Sequence, residues 1–359
     1  MKTIVSVCSA RPNFVKVAAV HHALAKHGGE FRHVIVHTGQ HYDPLFSDIF
    51  FEQLSIPLPD YNLGIHGGTR EELLAATEIA CCDVFPSIQP DLILVYGDVN
   101  GALAAARAAK KCGYMLGHVE AGLRSFDPSM PEELNRIEVD GLADILFCSE
   151  GAGVEHLKEE GVGGKIFLVG NTMIDTLVRM MPLIQAAELP VRFDGPFAVA
   201  TLHRPSNVDN PETLREVLSF FSEISRHMPL VLPAHHRLMH AITEFNLGDS
   251  VAPTIELIPP LGYVPFIRMV KESSFILTDS GGIQEEAVYL QKRCFTLRRN
   301  TERPATIASG SNVLVDTAVH ADRSIMLAFA EHPVPLDVTV PDLWDGQTGE
   351  RIVGILTNM

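Results

Sequence analysis

Short, β-branched apolar runs recur along this 359-residue chain and alternate with longer segments of helical period, which limits the fold more than any other feature. TIVSVC, HVIVHT, DLILVYG, MLGHVE, DILFCS and IFLVG are the runs; FVKVAAVHHALAKHG, LLAATEIACCDVF, GALAAARAAKKCG, GAGVEHLKEEG and MIDTLVRMMPLIQAA are among the helical segments between them. Continuous apolar strands joined by crossover helices imply a parallel sheet covered on both faces, a doubly wound α/β pattern. The polar, proline-bearing interval AAELPVRFDGP breaks the alternation, which restarts at FAVATLH and runs through LVLPAH, TIELIP, FILTDS, RCFTLR and NVLVDT. The length exceeds one ordinary core, so two α/β domains joined near residues 168 to 195 are expected, with DGQTGERIVGILTN as a last amphipathic helix.

Charge narrows the partners. With 28 Lys plus Arg against 44 Asp plus Glu, the net charge of −16 disfavours nonspecific binding to nucleic acid or an anionic membrane. A phosphate ligand therefore needs a local cluster of positive charge. The six cysteines lack CxxC spacing and sit mostly in apolar runs, as reduced core residues do. The stretch MKTIVSVCSARPNF is too short in its apolar part for a signal peptide, and a soluble cytoplasmic protein is expected.

In open parallel sheets ligands sit beyond the carboxyl ends of strands. Here those ends are Ser9-Ala10-Arg11-Pro12, Gly39-Gln40-His41, Gly97-Asp98, Glu120-Ala121-Gly122-Leu123-Arg124, Gly170-Asn171, His203-Arg204, His235-His236-Arg237 and Asp279-Ser280-Gly281-Gly282. Eight polar ends, seven of them carrying Arg, His, Asp or Glu, point to a shared cleft between two domains. The first turn has no glycine, against GxGxxG binding of NAD or FAD, and there is no GxxxxGK[ST] loop. His236 and His240 lack the HExxH glutamate, so no metal is expected. Arg11 and Lys16, about a helical turn apart, are two cations that could meet a diphosphate.

Asp98 and Glu120 follow two core strands, and Glu132-Glu133 follow Pro131; carboxylates from different elements can converge as an acid/base pair. Alone, Glu132 reads equally as a first-turn helix residue after an N1 proline. His203 and Arg204 follow the first strand of the second series, and a phosphate beside His203 would favour its protonated, donating form. Glu302 and Arg303 follow a later strand. DSGGIQEEA leaves a strand through Ser280-Gly281-Gly282 and places Glu285 and Glu286 in the opening turn of a helix. Exposed amides there would suit an anion, while Ser280 as a plain N-cap with dipole-complementing glutamates remains the alternative.

SARPNFVKV, HTGQHYD, VYGDVN, GHVEAGLRSFDPSMPEELNR, VGNTMIDTL, TLHRPSNVDN, PLGYVPF, TDSGGIQEEA, NTERPAT and DGQTGERIVGIL together resemble the non-hydrolysing UDP-N-acetylglucosamine 2-epimerase family, in order from residue 2 to about residue 357. The resemblance implies a GT-B-like α/β fold: two Rossmann-like doubly wound parallel-sheet domains, residues 1–168 and a UDP-binding 169–345, with an interdomain cleft and the helix 346–359 packing back on the first. It implies Asp98, Glu120, Glu132 and His203 as catalytic residues. Arg11, Lys16, Gln40, His41, Arg124, Arg204, His235, Phe266, Ser280, Gly281, Gly282, Glu286 and Arg303 become substrate-binding, with the Ser280–Gly282 amides on the diphosphate, Glu286 on the ribose and Arg303 beside the departing UDP. A homodimer in polysaccharide biosynthesis, without cofactor or metal, is implied as well.

The chain departs from the family's usual wording at several points. SARP stands for GTRP, HRPSN for HRxEN, Asp140-Gly141-Leu142-Ala143-Asp144 for DHxxD, and Asp43 for the glutamine of members that bind a second, activating UDP-sugar. RSFD..MPEE and NTERP resemble members acting on modified UDP-hexosamines or their uronates. A hydrolysing epimerase, a GT-B glycosyltransferase and a non-catalytic UDP-sugar sensor are the rival readings.

Overall fold

The computed structural model describes residues 1–39 and 50–359, and its contacts divide the chain into residues 1–180 with 341–359, and residues 181–340. In the first unit, β1 (Lys2–Cys8), β2 (Phe31–His37), β3 (Tyr61–Asn62), β4 (Leu92–Tyr96), β5 (Leu116–Ala121), β6 (Ile145–Cys148) and β7 (Lys165–Leu168) form one sheet in the order β3-β2-β1-β4-β5-β6-β7. Its pairings are parallel. The helices between them include α1 (Arg11–Lys26), α2 (Arg70–Ile88), α3 (Asn100–Lys111), α4 (Pro131–Leu142), α5 (Gly151–Glu159) and α6 (Thr172–Ala186). Every apolar run of the first series becomes a strand; the two-residue edge strand β3 has no such run and was not legible.

The second unit repeats the design. Strands β8 (Ala198–Thr201), β9 (Leu230–Pro233), β10 (Ile255–Ile258), β11 (Phe275–Thr278), β12 (Arg293–Thr296) and β13 (Asn312–Leu314) form a parallel sheet in the order β10-β9-β8-β11-β12-β13. Its helices include α7 (Pro205–Val208), α8 (Pro211–Ile224), α9 (His236–Glu244), α10 (Tyr263–Glu272), α11 (Gly281–Tyr289), α12 (Pro304–Ala308) and α13 (His320–Glu331). Counting from the first strand of each sheet, both follow the 3-2-1-4-5-6 order of a Rossmann fold. α8 shows why such helices form. Asn210 accepts the amides of Glu212 (2.9 Å) and Thr213 (3.0 Å), Pro211 opens the helix, and Leu214, Val217, Leu218, Phe221 and Ile224 line the buried stripe.

The last helix, α14 (Thr348–Thr357), belongs to the first unit. Asp175 of α6 accepts the amides of Thr348 (3.0 Å) and Gly349 (2.7 Å), so a carboxylate occupies the positive end of α14. Gly349 lies so close to α1 that an added Cβ would strike the Ala19 carbonyl. Trp344, 2% exposed, donates from Nε1 to the Ser149 carbonyl at 2.9 Å. Among the described residues no helix is long and apolar enough to cross a membrane, and no group of three or more His, Cys, Asp or Glu is arranged for a metal ion.

Candidate active site

In each sheet the strand order reverses once, between β1 and β4 and between β8 and β11, and the crevice beyond such a reversal is where open α/β sheets bind ligands. In the first unit the loops at that point carry Ser9 and Asp98, and Glu120 ends the neighbouring strand β5. Glu120 has φ +73°, which a residue with a Cβ rarely adopts, at a register shift between Val119 and Ala121. Such strain persists where surroundings over-determine it. Here Lys16 of α1 supplies the partner: it forms an ion pair with Glu120, and the two residues are only 5% and 6% exposed. Gly97, at φ +63°, packs over that pair, since an added Cβ would come within 2.8 Å of Lys16 Nζ.

Asp98 is held from below. Its Oδ2 accepts Arg136 Nε at 3.0 Å, with Nη2 in ion-pair contact at the same distance, and Asn135 donates to its backbone carbonyl at 2.8 Å. Arg136, itself 2% exposed, pairs on its other side with Glu133. Glu133 in turn accepts the amides of Ser125 and Phe126, both at 2.9 Å, and so shapes the loop before α4. The Glu132-Glu133 pair thus divides: Glu133 is buried in this scaffold and Glu132 is partly exposed in the first turn of α4. Arg124, 2% exposed, spends its guanidinium on Asp140 (2.7 Å) and Glu160 (2.7 and 2.6 Å). Against burial, which alone would raise it, His118 and Arg124 hold the Asp140 carboxyl below its usual range.

The amides of Ser9 and Ala10 both donate to Asn13 Oδ1 at 3.1 Å, so a side chain already occupies the first turn of α1. Ser9, in place of the family's glycine, brings its hydroxyl against Gly101, where a Cβ would collide with it. Gln40, His41 and Asp43 lie outside the described residues, as does the side chain of Arg11.

In the second unit, Asp279 at the end of β11 meets His203 at the end of β8. His203 Nδ1 is 2.7 Å from Asp279 Oδ1, and Asp279 Oδ2 accepts the amides of His203 (3.0 Å) and Arg204 (2.9 Å). Burial would raise Asp279, but His203 and these two amides hold it below the ordinary carboxylate range. The His203 side chain is half exposed, with Nδ1 engaged and Nε2 left on the opposite ring edge. Arg204 donates from Nε to the Asp279 carbonyl at 3.0 Å. Ser280 is the N-cap of α11 by position, yet its hydroxyl makes no capping bond. His235 instead caps α9, weakly, through Nδ1 to the Arg237 amide at 3.4 Å, and Phe266 packs against the core formed by Val199, Ile276 and Ile283.

The helix begins at Gly281, so Glu285 and Glu286 lie one turn in rather than in the opening turn, and both are buried. They therefore do not complement the exposed end of the dipole. Glu285 forms an ion pair with Arg303, its Oε1 3.0 Å from Nε, Arg303 pairs with Glu302, and Glu302 pairs with Arg298 at 2.7 Å, an alternating buried chain. Gly281 rests on it: a Cβ would lie 2.6 Å from Arg303 Nη1 and 2.8 Å from Glu302 Oε1. Glu286 is different. Burial, with Glu285 adding, pushes its carboxyl up to about 8, the nearby buried Tyr263 hydroxyl acting in the other direction.

Two doubly wound sheets, each with charged strand ends at its reversal, make this a GT-B-like α/β protein. Residues 22–357 match the model of the UDP-N-acetylglucosamine 2-epimerase family, and the chain belongs to that family of epimerases. It is 41% identical over 322 residues to the UDP-2,3-diacetamido-2,3-dideoxy-D-glucuronate 2-epimerase of Pseudomonas aeruginosa, covering 88% of each chain. The UDP-N-acetylglucosamine 2-epimerase of Methanocaldococcus jannaschii is 38% identical, with 98% of each chain covered. A crystal structure of the Methanocaldococcus jannaschii UDP-GlcNAc 2-epimerase in complex with UDP-GlcNAc and UDP superposes with a TM-score of 0.90, at 36% identity over 100% of both chains.

Proposed function

We propose that the protein is a non-hydrolysing 2-epimerase of a UDP-N-acetylhexosamine. The observation that carries the reading is Glu120, a carboxylate held in a strained conformation at a strand end beside a buried lysine, with Asp98 fixed nearby in sequence by Arg136. C2–H of a 2-acetamido sugar is not acidic, because C2 bears no carbonyl. If the C1–O bond breaks toward UDP, positive charge at C1 acidifies C2; a carboxylate takes that proton, and C1=C2 forms, giving a 2-acetamidoglucal. Reprotonation from the other face and return of UDP to C1 complete the inversion. Asp98, Glu120 and Glu132 are assigned to the proton transfers.

Departing UDP needs donors rather than a cofactor. The Ser280, Gly281 and Gly282 amides at the start of α11 receive the diphosphate, and His203, oriented by Asp279, donates from Nε2. Glu286 accepts from the ribose hydroxyls. Arg204, His235 and Phe266 border this half, Lys16 and Arg11 serve the sugar and phosphates, and Gln40 and His41 belong to the same assignment. Arg124 and Arg303, consumed by carboxylates, act mainly by holding their loops.

A modified sugar is supported by the 41% identity to an enzyme named for a 2,3-diacetamido uronate. The test is a panel of UDP-GlcNAc and UDP-2,3-diacetamido-2,3-dideoxy-D-glucuronate in deuterated water. Deuterium at C2 and the C2 epimer, without accumulating UDP by phosphorus NMR, is expected. Free UDP with a released sugar defines a hydrolysing enzyme instead, and no exchange with any member of the panel overturns the proposal. The protein is proposed to act as a homodimer in the cytoplasm, checked by light scattering and cell fractionation.

A further inference from the structure

We infer that His118 is a positioning residue for this reaction, an imidazolium that ties together the two turns carrying Asp98 and Glu120. The inference rests on the epimerase reading above. His118 stands on β5, and its side chain and that of Asp140 are fully buried. Nδ1 is 2.6 Å from Asp140 Oδ1, and Nε2 is 3.0 Å from the carbonyl oxygen of Gly97. Both partners are acceptors, so both ring nitrogens must carry a proton. A histidine that merely filled the core would need one partner, or none beyond apolar contacts. This one uses both nitrogens on backbone and side-chain groups at the functional strand ends.

Each bond leads to a carboxylate. The Gly97 carbonyl belongs to the peptide that joins Gly97 to Asp98, while the Gly97 amide donates to Val119 at 3.0 Å, so the turn is clamped from both sides by β5. Gly97 also packs over the Lys16–Glu120 pair, which leaves the turn no room to sink. On the other side, Asp140 Oδ2 accepts the Gly122 amide at 3.1 Å and Arg124 Nη1 at 2.7 Å, fixing the chain two residues beyond Glu120. The positive ring between these anchors offsets the buried charge of Asp140. Loss of the Nε2 bond frees the Gly97–Asp98 turn and moves a reacting carboxylate. A misplacement of about 1 Å can cost roughly a hundredfold in rate.

Two conservative replacements separate the two nitrogens. Asn places its amide nitrogen where Nδ1 was; Gln places it where Nε2 was. H118Q keeps the donor to Gly97, and H118N keeps the donor to Asp140. The expected result is that kcat for C2 exchange falls about tenfold or more in H118N and stays within about fivefold of wild type in H118Q, while KM and calorimetric UDP affinity hold in both. A kcat within about fivefold of wild type in H118N overturns the inference, because the Gly97–Asp98 turn then keeps its place without the Nε2 bond. A second measurement needs no variant. In wild-type protein with nitrogen-15-labelled histidine, His118 should show protons on both ring nitrogens at pH 7, and a single-proton tautomer overturns it. If wild type exchanges no member of the sugar panel, the epimerase reading fails by itself, and the nitrogen spectrum still tests the geometry.

Discussion

Replacing Lys16 with Met is the sharpest probe of the first unit. Lys16 and Glu120 are 5% and 6% exposed, so Met fills the lysine's stem volume but removes the lysine charge from beside a carboxylate in a nearly dry site. Removing one partner of a buried pair costs about 3–5 kcal/mol, whereas an exposed pair is worth about 0–1. For a unit of about 200 residues this lowers the melting temperature by roughly 6 to 20 °C. Pairing K16M with E120Q removes the buried carboxylate charge as well, so the double variant should recover more than half of the loss. The assay is urea denaturation with matched m-values for wild type, both single variants and the double, read as a double-mutant cycle. A loss below about 1 kcal/mol in K16M, or no recovery in the double variant, refutes the reasoning, since the pair would then behave as a solvated one.

Three further outcomes are expected. On the assignment of Glu286 to the ribose, its carboxyl, pushed up to about 8 by burial, is protonated in the free protein at pH 7 and must ionise to accept sugar hydroxyls; UDP binding should release a proton, seen as buffer-dependent calorimetric heat, and should tighten as pH rises from 6 to 8. Buffer-independent heat refutes this. His21 and His33 are held down to about 4 and about 3, His21 by burial and then His22 and Arg179, His33 by burial and then His21. Because the unfolded chain binds protons that the folded one rejects, stability is full above about pH 6.5 and falls as pH drops toward 4 and then 3; urea midpoints should decline less steeply in H33Q. Gly281→Ala drives a Cβ against Arg303 and Glu302, an overpacking cost of about 1–3 kcal/mol, and should weaken UDP binding in calorimetry; unchanged stability and affinity would show that the ion chain yields freely.

The doubly wound fold was legible because its signal is local. A strand buried on both faces must be apolar throughout, a helix must repeat every 3.6 residues, and each periodicity is present in one uninterrupted segment. The strand ends could be located for the same reason, and they are where the charged loops gather: Asp98 after β4, His203 after β8, Asp279 and Ser280 after β11. The family wording of HVEAGLRS and DSGGIQEEA was equally local.

Adjacent residues with the same chemistry were not separable in this way. Glu132 and Glu133 read alike, but Glu133 is drawn inward by Arg136 and the Ser125 and Phe126 amides while Glu132 stays partly open. Arg124 reads as a cation for substrate, yet Asp140 and Glu160, 16 and 36 residues away, claim it. Glu285 and Glu286 differ because one pairs with Arg303 while the other lies buried beside Tyr263 and Glu285.

Composition and periodicity by themselves determined two parallel α/β layers with charged carboxyl ends, since burial pattern and turn chemistry act over a few residues. Which carboxylates are paired, that Glu120 bears a strained backbone, and that His118 reaches from Asp140 to Gly97 were decided only by the tertiary structure. The Lys16–Glu120 pair and the two bonds of His118 join residues 21 to 104 apart, whose approach is set by strand order and helix packing rather than by neighbours in the chain.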